Sequence, residues 1–134
     1  MNETKEPATN PRNFYEAVGG EETFRRLTRL FYQGVAADPA LRAVYPSKDL
    51  GPAEEHLRLF LIQYWGGPDD YMQERGHPRL RIRHAPFRIT KQVRDAWISS
   101  MGTALASVRD ELTDEQFVEL NSYFDMAATQ MRNV

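Results

Sequence analysis

The residues of this chain whose types suit chemistry are three histidines, a run of arginines, and a set of tyrosines and tryptophans. The histidines are His56, His77 and His84. They show neither HxH nor HxxxH spacing, so they do not gather into an all-protein zinc site. A lone histidine is more often a satisfied structural residue, but it can hold a metal when a cofactor supplies the other ligands. His84 suits that role best, since Ala85, Pro86 and Phe87 follow it with small or apolar side chains. His77 precedes Pro78 and reads as loop chemistry, while His56 sits beside Leu57 at the edge of an apolar helix face.

Around His84 lies an asymmetry of charge. From Arg75 to Lys91 there are six basic residues (Arg75, Arg79, Arg81, Arg83, Arg88 and Lys91) and no acidic one, in a chain with 17 Lys and Arg against 19 Asp and Glu. A mildly acidic protein that concentrates positive charge on one segment asks for an anionic partner. Three readings compete. A charge run is often no more than a solvated loop. Nucleic acid fits less well, because no aromatic residues interleave with the arginines to stack bases. A ligand bearing carboxylates or phosphates suits the forked geometry of arginine.

Tyr32, Tyr45, Tyr64, Trp65 and Trp97 fall on or near apolar faces. Most such residues are core, with the polar tip reaching a nearby acceptor. Where several tips converge on one cavity they become donors aimed at a bound polar ligand. There is no GxSxG, Walker A loop or GxGxxG, so no nucleophile or nucleotide motif competes with this reading.

The elements that must position these groups read as helices. Residues 1–12 are polar with two prolines and offer too little apolar surface to offset ordering entropy, so a flexible tail is expected, with one domain over 13–134. Phe14 to Val18 makes a short helical turn stopped by Gly19-Gly20. Phe24, Leu27, Phe31 and Val35 recur at helical spacing up to Asp38-Pro39, which starts a short segment ending at Tyr45-Pro46. A third helix opens at Gly51-Pro52 and ends at Gly66-Gly67-Pro68. Thr90 caps a fourth, and Thr113 with Gln116 forms a capping box for the last. Residues 68–89, with three prolines and Gly76, fit no long amphipathic helix. No stretch alternates with period two, so no sheet is expected.

Composition agrees. The chain has 134 residues, 41% hydrophobic and 27% charged, with a net charge of -2. That is ordinary for one soluble domain with a single core. The absence of cysteine excludes disulfides, thiolate metal sites and thiol catalysis. The longest strongly apolar run, Leu59 to Ile62, is far too short to span a bilayer, and the N-terminus lacks the apolar stretch of a secretory signal. No membrane span is expected and the cytoplasm is the default location. The helices show no heptad seam or apolar patch beyond their core stripes, which leaves open whether the chain pairs as a homodimer.

These landmarks together resemble a known family, the truncated haemoglobins, in the group II or O-type branch of the globin superfamily. The resemblance covers residues 13 to about 132. It is carried by Phe14-Tyr15-Glu16-Ala17-Val18-Gly19-Gly20, by Phe31-Tyr32, Val44-Tyr45-Pro46 and Gln63-Tyr64-Trp65-Gly66-Gly67-Pro68, and most specifically by Gly76-His77-Pro78-Arg79-Leu80-Arg81-Ile82-Arg83-His84-Ala85-Pro86-Phe87 with Asp95-Ala96-Trp97 following. It implies an all-α two-over-two helical sandwich around haem b, with most of the proximal helix replaced by a loop. In that frame His84 corresponds to the proximal iron ligand, its other ring nitrogen donating a hydrogen bond. The haem propionates become the anions of the basic segment, with Arg83 the first candidate partner and Arg79 or Arg81 behind it. Tyr32, Tyr45 and Trp97 map onto the distal hydrogen-bonding residues. Ala53 stands where many globins place a distal histidine and leaves room for ligand entry. Leu57 and Phe60 form the apolar wall, and Phe87 and Met101 are further haem contacts. One departure stands out: the family often has Arg or Lys where this chain has His56, and a histidine is shorter and only partly charged near neutral pH.

The resemblance implies a binding protein for O2, CO, NO or similar small ligands. The alternative is an enzyme, either a nitric oxide dioxygenase or a peroxidase-like haem protein. An enzyme needs a separate reductase, because the chain carries no flavin or nicotinamide motif of its own. A haem-free interaction module is disfavoured, since His84 and the basic segment are both intact.

Overall fold

The computed structural model describes residues 12–134, and its described residues contain helices and no strand. The expected N-terminal tail therefore lies outside the described residues except for Arg12, whose backbone N–H donates to Glu16 Oε1 at 3.1 Å. The helices are α1 (Phe14–Ala17), α2 (Gly20–Ala37), α3 (Pro39–Arg42), α4 (Gly51–Tyr64), α5 (Asp70–Arg75), α6 (Leu80–His84), α7 (Lys91–Ser107) and α8 (Asp114–Met131).

Their ends follow from local chemistry. Asn13 caps α1 by accepting from Glu16 N. Gly19 at φ 116° and Gly20 at φ 68° then turn the chain into α2, in a backbone region that a side chain would strain. Asp38 caps α3 through Ala40 N and Leu41 N, with Pro39 at the first helical position. Thr90 caps α7 through Val93 N, and Thr113 and Gln116 complete a reciprocal capping box on α8. Each such cap stabilises its helix by about 1 kcal/mol.

The four long helices form two layers. α2 packs against α4 in one, α7 against α8 in the other, and the α2–α7 crossing joins them. The apolar stripe of α2 (Phe24, Leu27, Phe31 and Val35) is fully buried at this junction, together with Leu61 of α4, Met101 and Leu105 of α7, and Leu120 of α8. Gly34 makes the crossing close: a Cβ there would collide with the Ser100 side chain, whose hydroxyl donates to the Phe31 carbonyl at 3.0 Å. That approach brings the rings of Phe31 and Trp97 to 4.9 Å between centroids. The layers match the expected two-over-two sandwich. No helix among the described residues is long and apolar enough to cross a membrane.

Residues 68–89 differ from the expected loop. They hold two short helices, α5 and α6, each under two turns and therefore without a sustained periodic pattern in the sequence. Gly76 at φ 78° ends α5, and Arg79, at φ 43°, is the one non-glycine residue with positive φ among those described. The connection folds around a single guanidinium. Arg83 donates through Nε to the Pro78 carbonyl at 2.6 Å, and through Nη2 to the carbonyls of Arg75 at 2.7 Å and His77 at 3.2 Å. Backbone acceptors that a regular helix would satisfy are met here by one side chain.

Candidate functional site

Between the two layers and the α5–α6 segment lies a cavity of about 370 Å³ with a largely apolar wall. α6 sends His84 and Leu80 into it from one turn of helix, which places residues four apart on the same face. His84 Nδ1 lies 2.7 Å from the Leu80 carbonyl. A carbonyl only accepts, so Nδ1 carries a proton, and in the neutral ring Nε2 holds the lone pair. The following turn is clamped from the far end of the chain. Asn133 Nδ2 donates to the Phe87 carbonyl at 2.9 Å and more weakly to that of His84 at 3.4 Å, while its Oδ1 accepts from Ile89 N at 2.9 Å.

α2, the segment after α3, and α7 bring Tyr32, Tyr45 and Trp97 to the same cavity. The Tyr32 and Tyr45 rings meet edge to face at 5.6 Å. The Tyr32 phenol and the Trp97 indole both neighbour the Tyr45 hydroxyl closely enough to act on its proton. An indole N–H can only donate, so in a Trp97–Tyr45 pairing the Tyr45 oxygen is the acceptor. Burial pushes the Tyr32 phenol far above its ordinary pKa, with Tyr45 adding to the rise. Burial also raises Tyr45, against Tyr32 and Trp97, which lower it. Both phenols are neutral donors throughout the physiological range.

The mouth of the cavity is basic. Arg75, Arg83 and His56 all line it, and the guanidinium groups of Arg75 and Arg83 each lie 5.9 Å from the Tyr71 ring centroid. Arg75 Nη1 is 3.1 Å from His56 Nε2. Arginine has no lone pair to offer, so His56 accepts and is neutral in this arrangement. Burial first, and then the Arg75 charge, hold its pKa below the usual histidine range; Arg83 adds to this, and Glu55 and Glu74 oppose it.

Of the residues expected from the sequence, the cavity gathers His84, Tyr32, Tyr45, Trp97, Ala53, His56, Leu57, Phe60, Arg83 and Phe87. It does not gather three. Arg79 and Arg81 are exposed and point away from the wall, because the face of α6 turned inward is that of Leu80, Arg83 and His84. Met101 is fully buried in the α2–α7 core, one turn past the cavity. Sequence reasoning missed Arg75 and Tyr71 as lining residues, and Asn133 as the clamp. For Arg75 a signal existed in the basic run itself. For Asn133, 49 residues from its partner His84, none did.

Comparison with known proteins identifies the frame. The chain matches the bacterial-like globins over residues 13–130. It is also 47% identical over 94 residues to a group 2 truncated haemoglobin of Bacillus subtilis, an alignment covering 70% of each chain. This chain belongs to the truncated globins, in the group II branch. Solved structures agree with the assignment. A thermostable haemoglobin of the actinobacterium Thermobifida fusca is 57% identical and superposes with a TM-score of 0.88, covering 91% of this chain and 98% of that one. A truncated oxygen-avid haemoglobin of Bacillus subtilis is 40% identical with a TM-score of 0.84, over 91% of this chain and 100% of that one.

Globins carry haem b, and haem b is the cofactor of this globin, which binds small diatomic ligands such as O2. The cavity fits it. The walls are apolar, as a porphyrin face requires, and one imidazole offers an unprotonated nitrogen. Cations stand at the mouth where two carboxylates need partners.

Proposed function

We propose that this globin binds a diatomic gas, O2 foremost, at a haem iron ligated by His84, with Tyr45, Tyr32 and Trp97 supplying hydrogen bonds to the bound gas. Haem would supply the iron to which an imidazole and the gas bind; the remaining chemistry belongs to the chain. The observation that carries the reading is the His84 Nδ1 to Leu80 carbonyl bond, at 2.7 Å, which fixes the tautomer with Nε2 free and makes the ring a better donor to a metal.

On the ligand side, Tyr32 and Trp97 stand beside the Tyr45 hydroxyl, and donation from both would polarise it and turn its proton away from them. That proton is the one free to meet a partially negative gas. Ala53 keeps the wall open beside it, while Leu57 and Phe60 keep it dry. Arg75, Arg83 and His56 are the groups placed to hold the propionates. The oxygen-avid character of the Bacillus subtilis relative agrees with a donor-rich pocket that releases O2 slowly.

The test is the reduced absorption spectrum with and without carbon monoxide, for the parent and for His84→Gly. The parent should show a Soret band that shifts on CO addition. The variant should bind haem at least about ten-fold more weakly and recover when free imidazole is added. A variant with the parent's spectrum and affinity would assign the iron to another ligand.

A further inference from the structure

Half of the basic segment has no part in the cavity. Arg75 and Arg83 line its mouth, and Lys91 is paired with Asp95 at 2.8 Å. Arg79, Arg81 and Arg88 are all exposed, and among the described residues none of them has a carboxylate within salt-bridge distance. They frame an apolar centre. Ile82 is 68% exposed, the most exposed large hydrophobic residue of those described, and Ala85 and Pro86 beside it are exposed too. The helix period explains the arrangement: with 100° per residue, Leu80, Arg83 and His84 fall on one side of α6 while Arg81 and Ile82 fall on the other. The patch is thus carried by Arg81 and Ile82 on the outer face of the helix whose inner face holds His84, with Arg79 at its N-cap and Ala85, Pro86 and Arg88 in the segment that follows.

We propose that this face docks an acidic one-electron carrier protein that reduces the haem iron. This rests on the haem-ligand reading of His84. A carrier with a reduced flavin or iron–sulfur centre gives up one electron, ferric iron takes it up to become ferrous, and no bond or proton need move. Ferrous iron is the form that binds O2, and the chain has no flavin or nicotinamide motif to generate it. Charge complementarity selects the partner. The patch is cationic on a chain of net charge -2, so an acidic protein is drawn to this face and repelled from the rest. A small apolar centre with a charged rim suits a brief encounter rather than a permanent complex. A nucleic acid fits worse, since no exposed aromatic stands among these arginines to stack a base. The position serves the chemistry, because one helix separates the carrier from the ring of His84.

The experiment uses the haem-loaded full chain and a reduced plant-type [2Fe–2S] ferredoxin, an acidic carrier, as the probe. Ferric haem reduction is followed by stopped flow, and amide shifts of the ferrous CO form are mapped on titration with the ferredoxin. The expected rate falls about ten-fold or more between about 20 mM and about 200 mM salt. An I82E/R88E variant should lose a similar factor at low salt, while its CO spectrum and its reduction by dithionite stay those of the parent. In the parent, the shifted amides should cluster at residues 79–88. A salt-independent rate, an unimpaired variant, or shifts confined to another face would overturn the proposal, as would a response at this face to duplex DNA or phosphatidylserine vesicles but not to the ferredoxin. If the variant failed to hold haem, the parent's amide map would still decide. Loss of the CO-shifted spectrum in the parent would mark failure of the haem reading itself, a result separate from any docking outcome.

Discussion

At the scale of single residues, the site works by leaving particular atoms free. His84 spends Nδ1 on a carbonyl and keeps Nε2; Tyr45, with Tyr32 and Trp97 beside its hydroxyl, keeps its proton for the gas in the proposed reading. Trp97→Phe removes one donor from this set and should speed O2 dissociation roughly ten- to hundred-fold, in line with about 1.5–3 kcal/mol for a charge-assisted hydrogen bond. Tyr45→Phe should exceed Tyr32→Phe in the same measurement, because Tyr45 holds the free proton. Flash photolysis or stopped-flow replacement of O2 by CO reads both, and unchanged rates would make these rings packing alone. His56 gives a pH dependence. Its pKa in the folded haem-free chain lies below the unfolded value, so the unfolded chain takes up a proton first as pH falls. Stability tied to His56 is therefore complete above about pH 6.5 and is lost as pH drops through the folded pKa. Unfolding midpoints of the haem-free chain should fall over that window, and His56→Gln should flatten the fall. An identical pH profile in the variant would remove His56 as the cause.

At the scale of elements, legibility tracked sequence distance. The caps at Asp38, Thr90 and Thr113 act within three residues, so their residue types announce them, and the apolar stripe of α2 repeats often enough to be seen. α5 and α6 are too short for a period, and their geometry is set by Arg83 gathering three carbonyls. The inward and outward arginines could not be sorted until α6 was known to be a helix; only then do Arg79 and Arg81 separate from Arg83. Asn133 shows the limit. It joins the C-terminus to the turn after α6 through bonds to Phe87, His84 and Ile89, and nothing local in the sequence marks it. Asn133→Ala should lower stability by about 0.5–1.5 kcal/mol, as expected for hydrogen bonds that are exposed or part-buried. It should also speed haem transfer to a scavenging apoglobin several-fold. Normal haem retention with lowered stability would make Asn133 a terminal clamp without influence on His84.

At the scale of the whole molecule, two helical layers and a basic segment enclose the cavity, and the chemistry is divided between its walls. The layers and the segment after α3 supply the phenols, the indole and the apolar faces; α5 and α6 supply His84 and the two arginines at the mouth. The fold class and the membership of His84, Tyr32, Tyr45 and Trp97 in one site were legible because their motifs are specific to the globin pattern. That Tyr45 neighbours both Tyr32 and Trp97 required three dimensions. The most direct test of the central claim is the resonance Raman spectrum of the reduced protein without added gas. The account requires an iron–imidazole stretching band that moves when the histidine nitrogens are isotopically labelled and disappears in His84→Gly. A band unmoved by that labelling, or one that survives the substitution, would contradict it.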